Sequence, residues 1–109
     1  MSKTTKPRNI HPGEVLREEF LIPLGITQYR LAKEIGVTEA RISAICSGKR
    51  AITADTALRL SRYFRNSARF WLNLQARYDL EVEKDRLGDR LDREVVPRKS
   101  SASRLRRVG

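Results

Sequence analysis

The sequence predicts an all-α fold of five helices with a C-terminal helical extension. Apolar residues recur at spacings of three and four through most of residues 12–91, which is the period of a helix with one buried face. A hydroxyl residue that can cap a helix N-terminus precedes several of these segments: Thr27, Thr38, Thr53 and Ser67. The length of 109 residues fits one domain.

The first helix is expected to open at His11, where Pro12 suits the first helical position and Glu14 places a negative charge in the first turn. Its apolar face comprises Val15, Leu16, Phe20 and Leu21. Pro23 and Gly25 are expected to end it. A lone histidine before a helix, with no neighbour to tune it as a base, indicates a structural or exposed residue.

Residues 28–47 predict two short helices joined by a tight turn. The first carries its apolar face at Leu31, Ala32 and Ile35, and the second at Ile42 and Ile45. Gly36 lies between them and can end the first helix at positive φ, with Val37 under the turn. This spacing is typical of a DNA-binding helix-turn-helix, whose second helix lies in the major groove. The alternative is an ordinary pair of packed helices.

The exposed positions of the second of these helices carry short, polar or forked side chains suited to base edges: Thr38, Glu39, Ala40, Arg41, Ser43, Ala44 and Ser47. Gly48 is expected to end the helix. Lys49 and Arg50 follow directly and are predicted to contact phosphates, although simple solubility charges are the alternative. Cys46 is expected to be half-buried.

Thr53 is predicted to cap a helix over 54–64, whose buried face includes Ala57, Leu58, Leu60, Ser61 and Phe64. Arg59, Arg62 and Arg65 are expected to be solvated. Ser67 then caps a fifth helix, in which Phe70, Trp71, Leu74 and Tyr78 indicate core and dimer packing. We expect the dimer to form through residues 68–91, with Trp71 and Tyr78 as its largest surfaces. The acidic segment 79–96 extends this helix, either continuously or with a break near Gly88.

Charge divides the chain into three parts. The net charge of +10 suggests a polyanionic partner, and most of the surplus lies at the two ends. We expect a flexible basic N-terminus at residues 1–10, the helical domain at 11–96, and a disordered basic tail at 97–109. The acidic arm is either a solvated face or a surface for a basic partner protein.

Several classes of function find no support in the residues. One cysteine permits no internal disulfide, and one cysteine with one histidine does not make a zinc site. The sequence contains no membrane-spanning run, no secretory signal, no phosphate-binding glycine loop and no nucleophile–base pairing. We therefore expect a cytoplasmic protein that is not an enzyme and has no catalytic residue, metal or cofactor.

Three separated motifs occur in an order that resembles a known family. They are HPGEVLREEFLIPLGITQYRLAKEIGV, SGKRAITADTALRLSRYF and FWLNLQARYDL. Together they resemble the HigA-type antitoxins of bacterial toxin–antitoxin modules, within the wider Xre and phage Cro-like repressors. The resemblance covers residues 11 to about 92 and leaves out the basic tail after residue 97.

The resemblance implies a five-helix Xre or lambda-repressor-like fold, a homodimer, and two binding activities. One is binding of operator DNA in the protein's own promoter. The other is binding and neutralising a HigB-type toxin, an mRNA-cleaving ribonuclease similar to RelE. The family's reading positions fall on Thr38, Glu39, Arg41 and Ser43, while Gln28 holds a phosphate. Ala40 stands where a polar residue is often found.

Two hypotheses therefore remain: an antitoxin that binds DNA and toxin, and a stand-alone Xre-type repressor without a toxin. A structural or RNA-binding module is a distant third. The HPGE and FWLNLQARYDL motifs favour the antitoxin.

Overall fold

A computed structural model describes residues 8–99, and within that range the chain forms six helices and no strand. Residues 1–7 of the predicted flexible N-terminus and residues 100–109 of the predicted tail lie outside the described part. Between residues 8 and 99, no helix has the length and apolar character needed to cross a membrane.

Helix α1 is continuous but changes its hydrogen-bond pattern twice. It comprises Pro12–Val15, a π-helical segment Leu16–Leu21, and Ile22–Leu24. The prediction that Pro23 ends the helix is wrong, since the helix passes through it and stops before Gly25 at φ 67°. A proline interrupts an α-helix because it cannot donate a hydrogen bond to the carbonyl four residues earlier. The π-helical segment has already left that pattern, since the Ile22 N–H donates to the carbonyl of Arg17, five residues earlier.

Helices α2 (Gln28–Ile35) and α3 (Glu39–Cys46) form the predicted helix-turn-helix. The Thr27 hydroxyl accepts the Arg30 N–H at 3.0 Å, and the Thr38 hydroxyl accepts the Arg41 N–H at 3.1 Å. Gly36 ends α2 at φ 78°, a left-handed conformation in which a side chain is strained. The local signals therefore place both helices as expected.

Helices α4 (Ala54–Phe64), α5 (Ala68–Leu87) and α6 (Arg90–Glu94) complete the described chain. Thr53 and Ser67 cap α4 and α5 as predicted. The acidic extension continues α5 as far as Leu87, and Gly88 separates it from α6, which confirms the option of a break. With 20 residues, α5 is about 30 Å long.

The core lies where the five helices α1 to α5 meet. Its completely buried side chains include Leu16, Leu31, Ile42, Ile45, Leu60 and Trp71. Trp71 donates its indole N–H to Asn66 Oδ1 at 3.0 Å and packs against Phe20 at 5.0 Å between ring centroids. Trp71 therefore fills the core of its own chain, and the expectation that it supplies surface for a dimer is wrong.

Two further expectations about burial need correction. Leu58 was expected on the buried face of α4, yet its side chain is 61% exposed. Leu58 is the residue after the buried Ala57, and consecutive residues of a helix point in different directions around its axis. The Leu58 side chain therefore lies beyond the edge of the core. Cys46 is more buried than expected, at 4% exposure, because α1 covers the end of α3.

Close contact between α1 and α3 depends on Gly13. A Cβ added to Gly13 would lie 1.7 Å from the Ile45 carbonyl oxygen, far inside contact distance. Glycine at this position therefore lets the backbones of α1 and α3 approach each other.

Candidate nucleic-acid interface

Helix α3 has one buried face and one exposed face. Ile42, Ile45 and Cys46 are buried, and the opposite positions, Glu39, Ala40, Ser43 and Ser47, are exposed. Three of these four side chains, those of Ala40, Ser43 and Ser47, are short, so the helix backbone could approach a groove floor closely. The three buried residues fix the rotation of α3 about its own axis.

Thr38 lies exposed at the N-terminal end of α3. Its oxygen accepts the Arg41 N–H, which leaves the hydroxyl proton free to donate to a base or a phosphate. A helix N-terminus also favours an anion, since its first N–H groups have no partner within the helix.

The residues that were predicted to contact phosphates lie at the two ends of the helix-turn-helix. Gln28 is the first residue of α2 and is partly exposed, while Lys49 and Arg50 are exposed just beyond Gly48. The Lys49 N–H donates to the Ala44 carbonyl at 2.8 Å, so the backbone of this loop is tied to α3. Both basic side chains thus start from a defined position next to the helix.

Arg41 is held by α4. Its Nη1 donates to Asp55 Oδ2 at 3.0 Å and to Thr56 Oγ1 at 3.3 Å, and its side chain is 28% exposed. Hydrogen bonds from Arg41 and then from Arg59 lower the pKa of the Asp55 carboxyl. Asp55 therefore stays ionised and keeps Arg41 close to the start of α4.

Arg59 joins the same group of residues, which corrects the expectation that it is merely solvated. Its Nε bonds to Asp55 at 3.1 Å, and its Nη1 donates to the Ile35 carbonyl at 2.8 Å. Ile35 ends α2, so Arg59 satisfies a carbonyl that has no partner within the helix. The turn of the helix-turn-helix is thereby tied to α4.

Helix α1 holds the other end of α3. Arg17 Nη1 donates to the Cys46 carbonyl at 3.3 Å, and His11 lies close to Gly48. His11 is structural, as expected: its Nδ1 accepts the Gly13 N–H at 2.8 Å, and its ring packs edge-on against Tyr78 at 4.8 Å. Burial is the main cause that lowers the pKa of His11.

Comparison with known proteins assigns the family. The profile of the helix-turn-helix family matches residues 16–71, which contain α2, α3 and α4. Virulence-associated protein I of Dichelobacter nodosus is 55% identical over 67% of this chain and 68% of its own length. Antitoxin HigA-1 of Vibrio cholerae is 40% identical over 72% of this chain and 73% of its own length.

The chain belongs to the HigA-type branch of the helix-turn-helix family. Among solved structures, it resembles the Pseudomonas aeruginosa antitoxin HigA with the higBA promoter, with a TM-score of 0.80 and 42% identity. That match covers 83% of this chain and 98% of the other. The likeness therefore includes the helices around the core as well as the helix-turn-helix.

In this HigA-type chain, the residues that were predicted to contact DNA are all at least partly exposed, whereas the residue that holds Arg41 was not predicted. Thr38, Glu39, Ser43, Ser47, Lys49 and Arg50 are exposed, and Gln28 and Arg41 are partly exposed. Asp55 was missed as a partner of Arg41. Its spacing of four residues from Arg59 was a readable signal for an ion pair on α4, but nothing local connects it to α3.

Proposed function

We propose that this protein is the antitoxin of a HigBA-type toxin–antitoxin module. In this proposal it binds operator DNA as a homodimer, represses its own operon, and binds and neutralises a HigB/RelE-like mRNA-cleaving toxin. The observation that carries the DNA-binding part is the exposed face of α3, whose side chains are short or polar and whose orientation is set by the buried opposite face. The toxin partner is inferred from membership of the HigA-type family.

The residues divide by role. Thr38, Glu39, Arg41, Ser43 and Ser47 are proposed to face base edges, since they lie on α3 or cap it. Gln28, Lys49 and Arg50 are proposed to hold the DNA backbone on either side. None of these roles involves catalysis by this chain. Operator DNA and mRNA both lie in the bacterial cytoplasm, so the proposal places the protein there.

Two-fold symmetry is part of the proposal. One α3 helix reaches only a few base pairs, and a second copy doubles the contacts while requiring an inverted repeat in the operator. The half-site centres should lie about 10 base pairs apart, or a multiple of that, so that both helices meet the same side of the duplex.

Operator binding is tested by a gel-shift titration with the promoter of the protein's own operon. We expect specific affinity to exceed affinity for unrelated DNA by about a thousandfold or more. Equal affinity for both DNAs at matched salt would contradict the DNA-binding part of the proposal.

Toxin binding needs a separate experiment. We expect the neighbouring gene to encode a small basic toxin, which should co-purify with the chain and should lose its mRNA cleavage when the complex forms. Operator binding without any such complex would instead support the stand-alone repressor. Co-purification without inhibition of cleavage would contradict neutralisation.

A further inference from the structure

The contacts of Arg41 with α4 use only one of its nitrogens. Both side-chain hydrogen bonds, to Asp55 and to Thr56, come from Nη1. Among residues 8–99, Nε and Nη2 of Arg41 have no hydrogen-bond partner. These two nitrogens form one edge of the planar guanidinium, and that edge can donate two parallel bonds.

We propose that Asp55 is a specificity-determining positioning residue, which holds Arg41 by Nη1 so that its Nε–Nη2 edge is presented to a base. This inference rests on the proposed operator binding and adds to it a residue on α4, outside the reading helix. Asp55 makes its contribution through Arg41 and is not itself assigned a contact with DNA.

The arrangement around Asp55 is suited to this role. Thr53 caps α4 and Asp55 lies in its first turn, so the carboxylate position follows from the helix start. Arg59 binds the same carboxylate at 3.1 Å and is itself fixed on the Ile35 carbonyl. The anchor for Arg41 is therefore attached to both α4 and the end of α2.

The physical consequence is a restricted arginine. An arginine without an anchor samples many rotamers and can neutralise a phosphate anywhere along the backbone, which adds affinity without sequence information. When Asp55 holds Nη1, the Arg41 side chain samples fewer rotamers, and its planar Nε–Nη2 edge keeps one orientation. Two parallel bonds to O6 and N7 of guanine are the base contact that this edge fits best.

The test is the ratio of operator affinity to non-operator affinity in Asp55→Asn. We expect this ratio to fall about tenfold, because Arg41 loses its charged anchor while the shape of residue 55 is kept. Affinity for non-operator DNA should stay the same or rise. A structural role alone would weaken binding to both DNAs together and leave the ratio unchanged.

Two further variants make the result specific to Arg41. Glu19→Gln removes the same charge from an exposed position on α1 and should leave the ratio at the wild-type value. In an Arg41→Ala background, Asp55→Asn should have no further effect on the ratio, since the residue that Asp55 positions is absent. Circular dichroism of each variant checks that it folds.

The outcomes separate the two proposals. A wild type that does not prefer the operator overturns the proposed function itself. A wild type that prefers the operator, combined with an unchanged ratio in Asp55→Asn, overturns only the role of Asp55. If Asp55→Asn lowers the affinity ratio equally in the wild-type and in the Arg41→Ala background, the role of Asp55 is also overturned, because Asp55 would then act through another group. If Asp55→Asn does not fold, Asp55→Glu is measured in its place, where a displaced anchor predicts a smaller fall in the ratio.

Discussion

At the residue scale, Arg41 joins the interior of the domain to its proposed DNA surface. It is partly buried, bound to Asp55 and Thr56, and still has a donor edge without a partner in the described chain. Its position on α3 was predictable from helical spacing. Its ion pair was not, because Asp55 lies 14 residues further along and comes close only when α4 packs beside the helix-turn-helix.

Replacing Arg41 with alanine should weaken operator binding by about 1–3 kcal/mol if the guanidinium contacts a base. Helical content should remain that of the wild type, since the Thr38 cap bonds to the Arg41 backbone and is kept. Gel-shift titrations with operator and non-operator DNA provide the measurement. Retained affinity and sequence preference would remove Arg41 from the reading residues.

His11 should make stability depend on pH below neutrality. Its neutral Nδ1 accepts the Gly13 N–H, and burial lowers its pKa below the ordinary 6.5. Between the lowered and the ordinary pKa, the unfolded chain binds more protons than the folded one. The contribution of His11 to the free energy of unfolding is therefore complete above pH 6.5. It is lost as the pH falls from 6.5 toward the lowered pKa of the folded protein.

Urea unfolding between about pH 7.5 and pH 5.5, above the range in which carboxylates titrate, measures this effect. The control is His11→Asn, whose side-chain oxygen can cap the helix but does not titrate. We expect the loss of stability over this range to be smaller in the variant. The same pH dependence in both proteins would show that His11 is not its source.

At the element scale, the sequence placed helix starts well and helix contacts poorly. Each of the predicted caps, Thr27, Thr38, Thr53 and Ser67, accepts an N–H three residues ahead, so its signal is contained in four consecutive residues. The π-helical segment of α1 and the bond from Arg59 to the end of α2 depend on neighbouring helices. No short window of sequence contains them.

Gly13→Ala tests whether close packing of α1 positions α3. The added Cβ would overlap the Ile45 carbonyl, and overpacking of this kind typically costs about 1–3 kcal/mol in the free energy of unfolding. Gly25→Ala is the control, since its Cβ would meet nothing within 4 Å and the cost is only that of a left-handed φ, about 1 kcal/mol. An equal or smaller loss in Gly13→Ala, measured by urea unfolding, would show that the two helices separate easily.

At the scale of the whole molecule, the aromatic face of α5 shows where sequence reasoning reaches its limit. Helical spacing correctly indicated that Trp71 is buried, but a buried face looks the same whether its partner is the same chain or a second copy. In the structure Phe20 and Asn66 supply the partners. The proposed dimer must therefore use the exposed apolar residues of segment 68–91, of which Leu80 is 64% exposed.

Leu80→Glu should weaken the dimer at least about tenfold, because a carboxylate would be moved from water into an apolar contact. Leu58→Glu is the matched control, since Leu58 is 61% exposed on α4 and lies outside the proposed dimer segment. Sedimentation equilibrium at micromolar concentration gives both dissociation constants. A dimer weakened by Leu58→Glu and not by Leu80→Glu would move the contact onto α4.

The most direct test of a dimer that reads DNA through two α3 helices is a titration with altered operator spacing. The native operator is compared with one carrying five extra base pairs between its half-sites, about half a helical turn. We expect the insertion to abolish cooperative binding of the dimer, because it turns the second half-site to the opposite face of the duplex. Binding of both operators with the same affinity and stoichiometry would contradict two-fold reading by α3.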